Sequence, residues 1–244
     1  AATAVSMDFW NVRVEDVLVG QESSSYRVNG EIPVIPLESF SDEVASAMED
    51  VSQKMEEQDL YLNSSPGYWL RTFDRWADCE EFIGFPLNNP LEKSSLLETA
   101  NYFAIAQDAE TLNEESQRHC AVALQGNIKG ELQHVTIDTG YLMGPIRIQM
   151  TVSLYPEGSG MEPGTGGSWN GEAEFEITSG VTGEGIPYTL VVSETPESDY
   201  YNDFSSADAY FVLKNGLYTL DAVSPGRDSG ADAKAALEEL LALF

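Results

Sequence analysis

Three consecutive segments in the middle of the chain are strongly β-prone, and they constrain the fold more than anything else in it. They are HCAVALQG from His119, ELQHVTIDTGY from Glu131 and IRIQMTVSLY from Ile146. Val135 and Ile137, then Ile146, Ile148, Met150, Val152 and Leu154, alternate with polar residues. A period of two places every apolar side chain on one face of a strand, whereas a helix would scatter them around its axis. The pattern predicts half-buried antiparallel strands. EAEFEI at 172–177 repeats it, with Ala173, Phe175 and Ile177 on one face and Glu172, Glu174 and Glu176 on the other. Tyr188–Val192 and AYFVLKNGLYTL at 209–220 continue the series, the latter with Asn215-Gly216 as a hairpin signal. Nearer the start, Val5–Val19 reads as extended, and Asn29-Gly30 after Tyr26-Arg27-Val28 gives a second hairpin signal. Glu31–Leu37 holds Pro33 and Pro36, which places it at a sheet edge or outside a sheet. Residues 156–171, PEGSGMEPGTGGSWNG, read as a flexible connection.

Three segments carry the helical period instead. In Ser41–Gln58, Val44, Met48, Val51 and Met55 form a stripe opposite Glu43, Glu49, Asp50 and Glu56. At the far end, Asp232–Phe244 aligns Ala233, Leu237, Leu240, Leu241 and Phe244. The third lies in WLRTFDRWADCEEFIGFPLNNPL, Trp69–Leu91. There Asp74 is placed to cap a helix, Trp76, Cys79, Phe82 and Ile83 give its apolar side, and Gly84 with Pro86 ends it. This short helix is expected to pin itself on the sheet. Leu91–Leu97 and Tyr102–Ile105 read as short elements around a loop. No repeat and no linker composition divides residues 1–244, so one α+β domain is expected.

The charge excludes some functions. Twelve Lys and Arg stand against 41 Asp and Glu, a net charge of −29. Such a surface repels nucleic acid and anionic headgroups, and it suits a cationic ligand, a protein partner or solubility in a cation-rich exterior. No apolar run is long enough to span a bilayer. The opening AATAVSMDFW is read as that of a mature or trimmed exported protein. Cys79 and Cys120 fit either one disulfide or two buried thiols.

The search for chemistry assigns no catalytic, cofactor-binding or metal-ligating residue, and no cofactor. Asp138-Thr139-Gly140 resembles the triplet of aspartic proteases, but those sites need two carboxylates and this chain has one such triplet. It reads as a strand-ending turn. His119 and His134 lack any accompanying zinc or triad motif. The glycine-rich loop has Glu157 and Glu162 but no lysine, which rules out a phosphate cradle. Asp199, Asp203 and Asp208 are placed in one loop, a calcium-type oxygen set whose spacing matches no EF-hand. The sequon Asn63-Ser64-Ser65 is read as chance.

Two segments carry a family likeness. FDRWADCEEFIGFPLNNPL at 73–91 resembles a stretch of the extracytoplasmic domains of small membrane-anchored proteins of Gram-positive bacteria, anti-sigma-factor-like sensors and hypothetical lipoproteins among them. ADAYFVLKNGLYTL at 207–220, with the helix after it, is similar to the strand–turn–strand–helix that closes those domains. The resemblance implies a curved, mostly antiparallel sheet with about three helices packed on it. It also implies a non-enzymatic sensory or interaction domain at the cell surface, joined to the membrane only through an anchor absent from this chain. A module binding a small molecule, a peptide or Ca²⁺ is the alternative, and a hydrolase with an unrecognised site the second. The domain is expected to act as a monomer toward a protein partner or cationic ligand.

Overall fold

The computed structural model describes residues 12–20, 23–57, 67–102, 118–127, 129–170, 174–194, 204–226 and 230–244. In chain order the elements are β1 (Arg13–Val19), β2 (Ser23–Asn29), β3 (Val34–Ile35), α1 (Asp42–Glu57), β4 (Gly67–Phe73), α2 (Trp76–Ile83), β5 (Glu98–Ala100), β6 (Cys120–Gly126) and β7 (Leu132–Met143). They continue with β8 (Ile146–Pro156), β9 (Thr165–Asn170), β10 (Glu174–Val181), β11 (Pro187–Glu194), β12 (Phe204–Leu213), β13 (Gly216–Pro225) and α3 (Gly230–Leu241). The fold is α+β. A large sheet runs in the order β10-β11-β12-β13-β8-β7-β6-β4, with β5 added to β7 and β3 parallel to β8, and a smaller one runs β1-β2-β9. Neither sheet is strongly curled, which corrects the expected curvature.

Alternation decides which residues meet across the strands. On one face Leu220, Met150, Thr139, Cys120 and Phe73 stand in one cross-strand row, and Tyr218, Val152, Ile137 and Val122 in the next. The three helices lay their apolar sides on this face, burying Val44, Met48, Val51, Trp76, Phe82, Ile83, Leu237, Leu240 and Phe244 in the main core. On the other face the small sheet packs Val12, Tyr26 and Val28 against Tyr155, Val191, Tyr210, Val212 and Leu217. Where the small sheet lies over it the large sheet is covered on both sides, which explains why β12 carries an almost unbroken buried run.

Several local expectations change. Asn215-Gly216 does join β12 to β13, but Asn29-Gly30 makes no hairpin. β2 pairs with β1 and β9, and the chain leaves after Asn29 for β3 on the other sheet. The glycine-rich segment contains β9, because a strand so close to β2 needs residues without a Cβ. A side chain at Gly166 would collide with the Tyr26 carbonyl. Asp74 does not cap α2: Arg75 occupies that position without a side-chain cap, and Asp74 pairs with Arg118. The real cap is on α1, where the Ser41 hydroxyl accepts from the Val44 amide and donates to the Phe82 carbonyl of α2. Gly84, left-handed at φ 102°, ends α2 against the same turn, and the Ser41 amide donates to the Ile83 carbonyl. Met55 lies outside the residues whose side chains are described, as do the main-chain positions of Val5–Asn11, Asn63–Ser65 and Phe103–Ile105.

Candidate functional site

β4 adds to the β6 edge of the large sheet, and α2 follows it directly, so both present side chains toward the N-terminal turn of α1. Between them lies an open cleft of about 770 Å³ lined by Glu43, Arg71, Phe73, Asp74, Asp78, Glu81, Phe82 and Arg118, with Thr72 at its base. Its floor is aromatic. Phe82 stacks on Trp69 at 5.1 Å between centroids and tilts against Phe73 at 5.6 Å. The Arg71 guanidinium lies over the Phe73 and Phe82 rings at 5.1 and 5.6 Å, a cation–π placement. Above the floor the charges pair loosely: Arg71 with Glu43 and Arg118 with Asp74, each at 3.4 Å, with all four side chains about half exposed or more. Pairs so exposed contribute about 0–1 kcal/mol and exchange easily for a ligand's charges. Arg75 beside the cleft grips Asp78 and holds its carboxyl below the usual range. Among the described residues lining the cleft there is no His, Cys, Ser or Lys. The arrangement sets loosely paired charges of both signs over an aromatic surface.

Reactive groups gather elsewhere, behind α2. Cys79 on α2 and Cys120 at the start of β6 are free thiols, both fully buried and neighbours in the main core. The expectation of a disulfide or two buried thiols resolves here as two buried thiols. The Cys120 thiol is also 3.5 Å from the Thr139 hydroxyl, which lies 3.1 Å from His119 Nε2. His119 points Nδ1 at the Ala100 carbonyl of β5 (2.9 Å) and Nε2 at Glu92 Oε1 (2.8 Å). With an acceptor at each ring nitrogen, the imidazole is held as the cation. Burial alone would lower its pKa, but the bonds to Cys120, Glu92 and Ala100 prevail and raise it to about 10. Glu92 is held low, chiefly by His119, and also accepts from the Tyr141 hydroxyl at 2.6 Å; Tyr141 in turn accepts from Asn89 Nδ2 at 2.9 Å.

A third set of polar groups lies on the opposite face, under the small sheet. Asp208 and Asp221 stand directly across from each other on β12 and β13, so their carboxyl groups interact. Tyr26 from β2 reaches Asp208 at 3.3 Å and the Tyr210 hydroxyl at 2.6 Å. Burial lifts both carboxyl groups, Asp221 to about 6 and Asp208 well above its ordinary range, with the Asp221 charge adding to the latter. One β-ladder further on, Gln149 opposes Asp221 and donates to Asp138, which also accepts from Thr151 at 2.5 Å. Asp138 therefore sits mid-strand in β7, which corrects its reading as a strand-ending turn. Burial raises its pKa. Asp208 also leaves the loop proposed to ligate Ca²⁺: it is a buried strand residue, and Asp199 and Asp203 lie outside the described residues. His134 stacks on Tyr155 at 4.9 Å, with Nε2 unpartnered and its pKa lowered by burial to about 4, so it is neutral.

Sequence reasoning singled out His119, Cys79 and Cys120 separately, but not the group they form. Glu92, Tyr141 and Asn89 carried no signal, because they lie 27, 22 and 30 residues from His119 in sequence. Asp221 was passed over for the same reason. No family model, curated protein or solved structure matches this chain.

Proposed function

We propose that this chain is a non-enzymatic recognition domain of an exported, membrane-tethered bacterial protein, and that it grips a cationic segment of a partner protein in the cleft of α1, α2 and β4. One observation carries the reading: the open concavity offers loosely paired carboxylates and guanidiniums over an aromatic floor, while the thiols, the His119 imidazole and the Asp208 carboxyl lie buried elsewhere. A lysine or arginine side chain of a ligand can replace Arg71 or Arg118 at Glu43 or Asp74 and lay its stem along Phe73 and Phe82. The net charge of −29 speeds the encounter and suits an exterior rich in cations. The likeness of residues 73–91 and 207–220 to extracytoplasmic domains supports the cell-surface, tethered placement. A Ca²⁺ module is less well supported, since among the described residues no three metal-ligating side chains come together.

The test must separate the cleft from general acidity. Calorimetry with a synthetic lysine–glycine peptide at about 0.15 M salt would compare the wild type with Glu43→Gln/Asp74→Asn and with the distant pair Glu157→Gln/Glu184→Gln. The cleft variant is expected to bind about tenfold more weakly and the distant one nearly as well as wild type. Equal weakening in the two variants, or no binding by the wild type, would overturn the assignment.

A further inference from the structure

Cys79 and Cys120 are brought together by tertiary packing alone. Cys79 lies on the buried stripe of α2, Cys120 is the first residue of β6, and α2 is laid across that strand by Trp76, Phe82 and Ile83. The two thiols are neighbours in the same buried cluster, and neither reaches solvent. Around Cys120 the groups are those that favour a thiolate: the His119 imidazolium, locked by Glu92 and Ala100, and the Thr139 hydroxyl. Nothing comparable surrounds Cys79, whose thiol burial and the neighbouring Cys120 push up while Cys120 is held down. One thiol is therefore prepared to attack and the other to resolve. His119 is held in part by β5, which is three residues long and, among the described strands, pairs only with β7.

We propose that Cys79 and Cys120 form a redox-active dithiol that a small-molecule or protein disulfide converts to an intramolecular disulfide. The Cys120 thiolate attacks one sulfur of the incoming disulfide, forming a mixed disulfide and releasing the first thiolate. Cys79 gives up its proton and attacks the Cys120 sulfur, releasing the second thiolate. Two protein thiols are oxidised, one external disulfide is reduced to two thiols, and the two protons leave with those products. The bond closes a loop of about 40 residues between α2 and β6, and it forms whatever the cleft binds. Because both sulfurs are buried, the rate follows local opening of the β5 segment.

The experiment uses the reduced full chain and oxidised glutathione. After quenching, alkylation in denaturant and intact-mass measurement, the expected product has lost two hydrogens, takes up no alkylating reagent and yields one linked peptide containing Cys79 and Cys120. Its Tm is expected to rise by about 10 °C. Cys79→Ser is expected to stop at a glutathione adduct on Cys120. His119→Asn is expected to slow the reaction about tenfold near neutral pH and to approach the wild-type rate as pH rises through the ordinary thiol range. Two thiols still alkylated after glutathione has oxidised a control dithiol, or glutathione adducts that never close, would overturn the proposal. A His119→Asn rate profile superimposable on the wild type would remove His119 from it.

Discussion

Replacing Asp221 with Asn should remove a pH-dependent instability built into the contact between the two sheets. In the folded protein Asp221 is raised to about 6 by burial, whereas in the unfolded chain it returns to the ordinary carboxyl value. The folded state therefore holds its proton more tightly, and the stabilisation is complete only below about pH 4. It is lost as pH rises through about 6, and a difference of about two pKa units corresponds to about 3 kcal/mol. Asp208, raised further, extends the loss in the same direction to higher pH. The groups facing the pair are Tyr26 from the small sheet, Tyr210 on β12 and Gln149 on β8, and none of them supplies a positive charge. Asn at 221 keeps the shape, offers Asp208 an amide donor and removes the like charge. Urea unfolding followed by tryptophan fluorescence between pH 4 and 8 would measure it. Wild-type stability should fall across that range about 3 kcal/mol more than that of Asp221→Asn, with the variant the more stable at neutral pH. General self-repulsion of the acidic surface appears in both proteins and cancels in the difference. Parallel profiles, within about 0.5 kcal/mol, would refute the argument.

Other consequences follow from single contacts. Gly84→Ala places a Cβ against the Ser41 amide and the Ser39 carbonyl at a left-handed position, so it should cost about 2–4 kcal/mol in chemical denaturation. Trp76→Ala, at a site 5% exposed, should cost about 3–5 kcal/mol; an unchanged melting temperature would mean that this residue does not anchor α2. Glu92→Gln removes the charge that locks His119, so NMR titration should show the imidazole losing its proton at lower pH than in the wild type. Tyr141→Phe breaks the link from Asn89 to Glu92 and should cost about 1–2 kcal/mol, read from thermal unfolding.

Local pattern was enough wherever one periodicity dominated. The α1 stripe Val44, Met48 and Val51, the α3 stripe ending at Phe244, the β6–β8 strands and the Asn215-Gly216 hairpin all appear where spacing places them. The errors share a cause. Asn29-Gly30 has the chemistry of a tight turn, yet β2 finds its partners in β1 and β9, and the chain crosses to the other sheet. Residues 165–170 look like a linker because strands are recognised by bulky side chains, and here close approach to Tyr26 demands glycine. Asp74 is not the cap because α2 begins one residue later than the spacing suggests, with Arg75 at the N-cap, and Asp74 pairs with Arg118 instead.

Sequence alone thus determined the class of fold, the three helical stripes, the run of antiparallel strands and the acidic surface, all of which depend on residues a few positions apart. Tertiary structure alone decided where polar chemistry collects. Cys79 with Cys120 and His119 with Glu92 are pairs made by packing of α2 and the turn after it on the sheet, Asp208 with Asp221 by strand register, and Tyr26 with Tyr210 by sheet stacking. A one-residue slip of register would send each strand-borne partner to the opposite face. No local spacing encodes such meetings, since contact across a sheet depends on which strands become neighbours, and that is fixed only when the whole core closes.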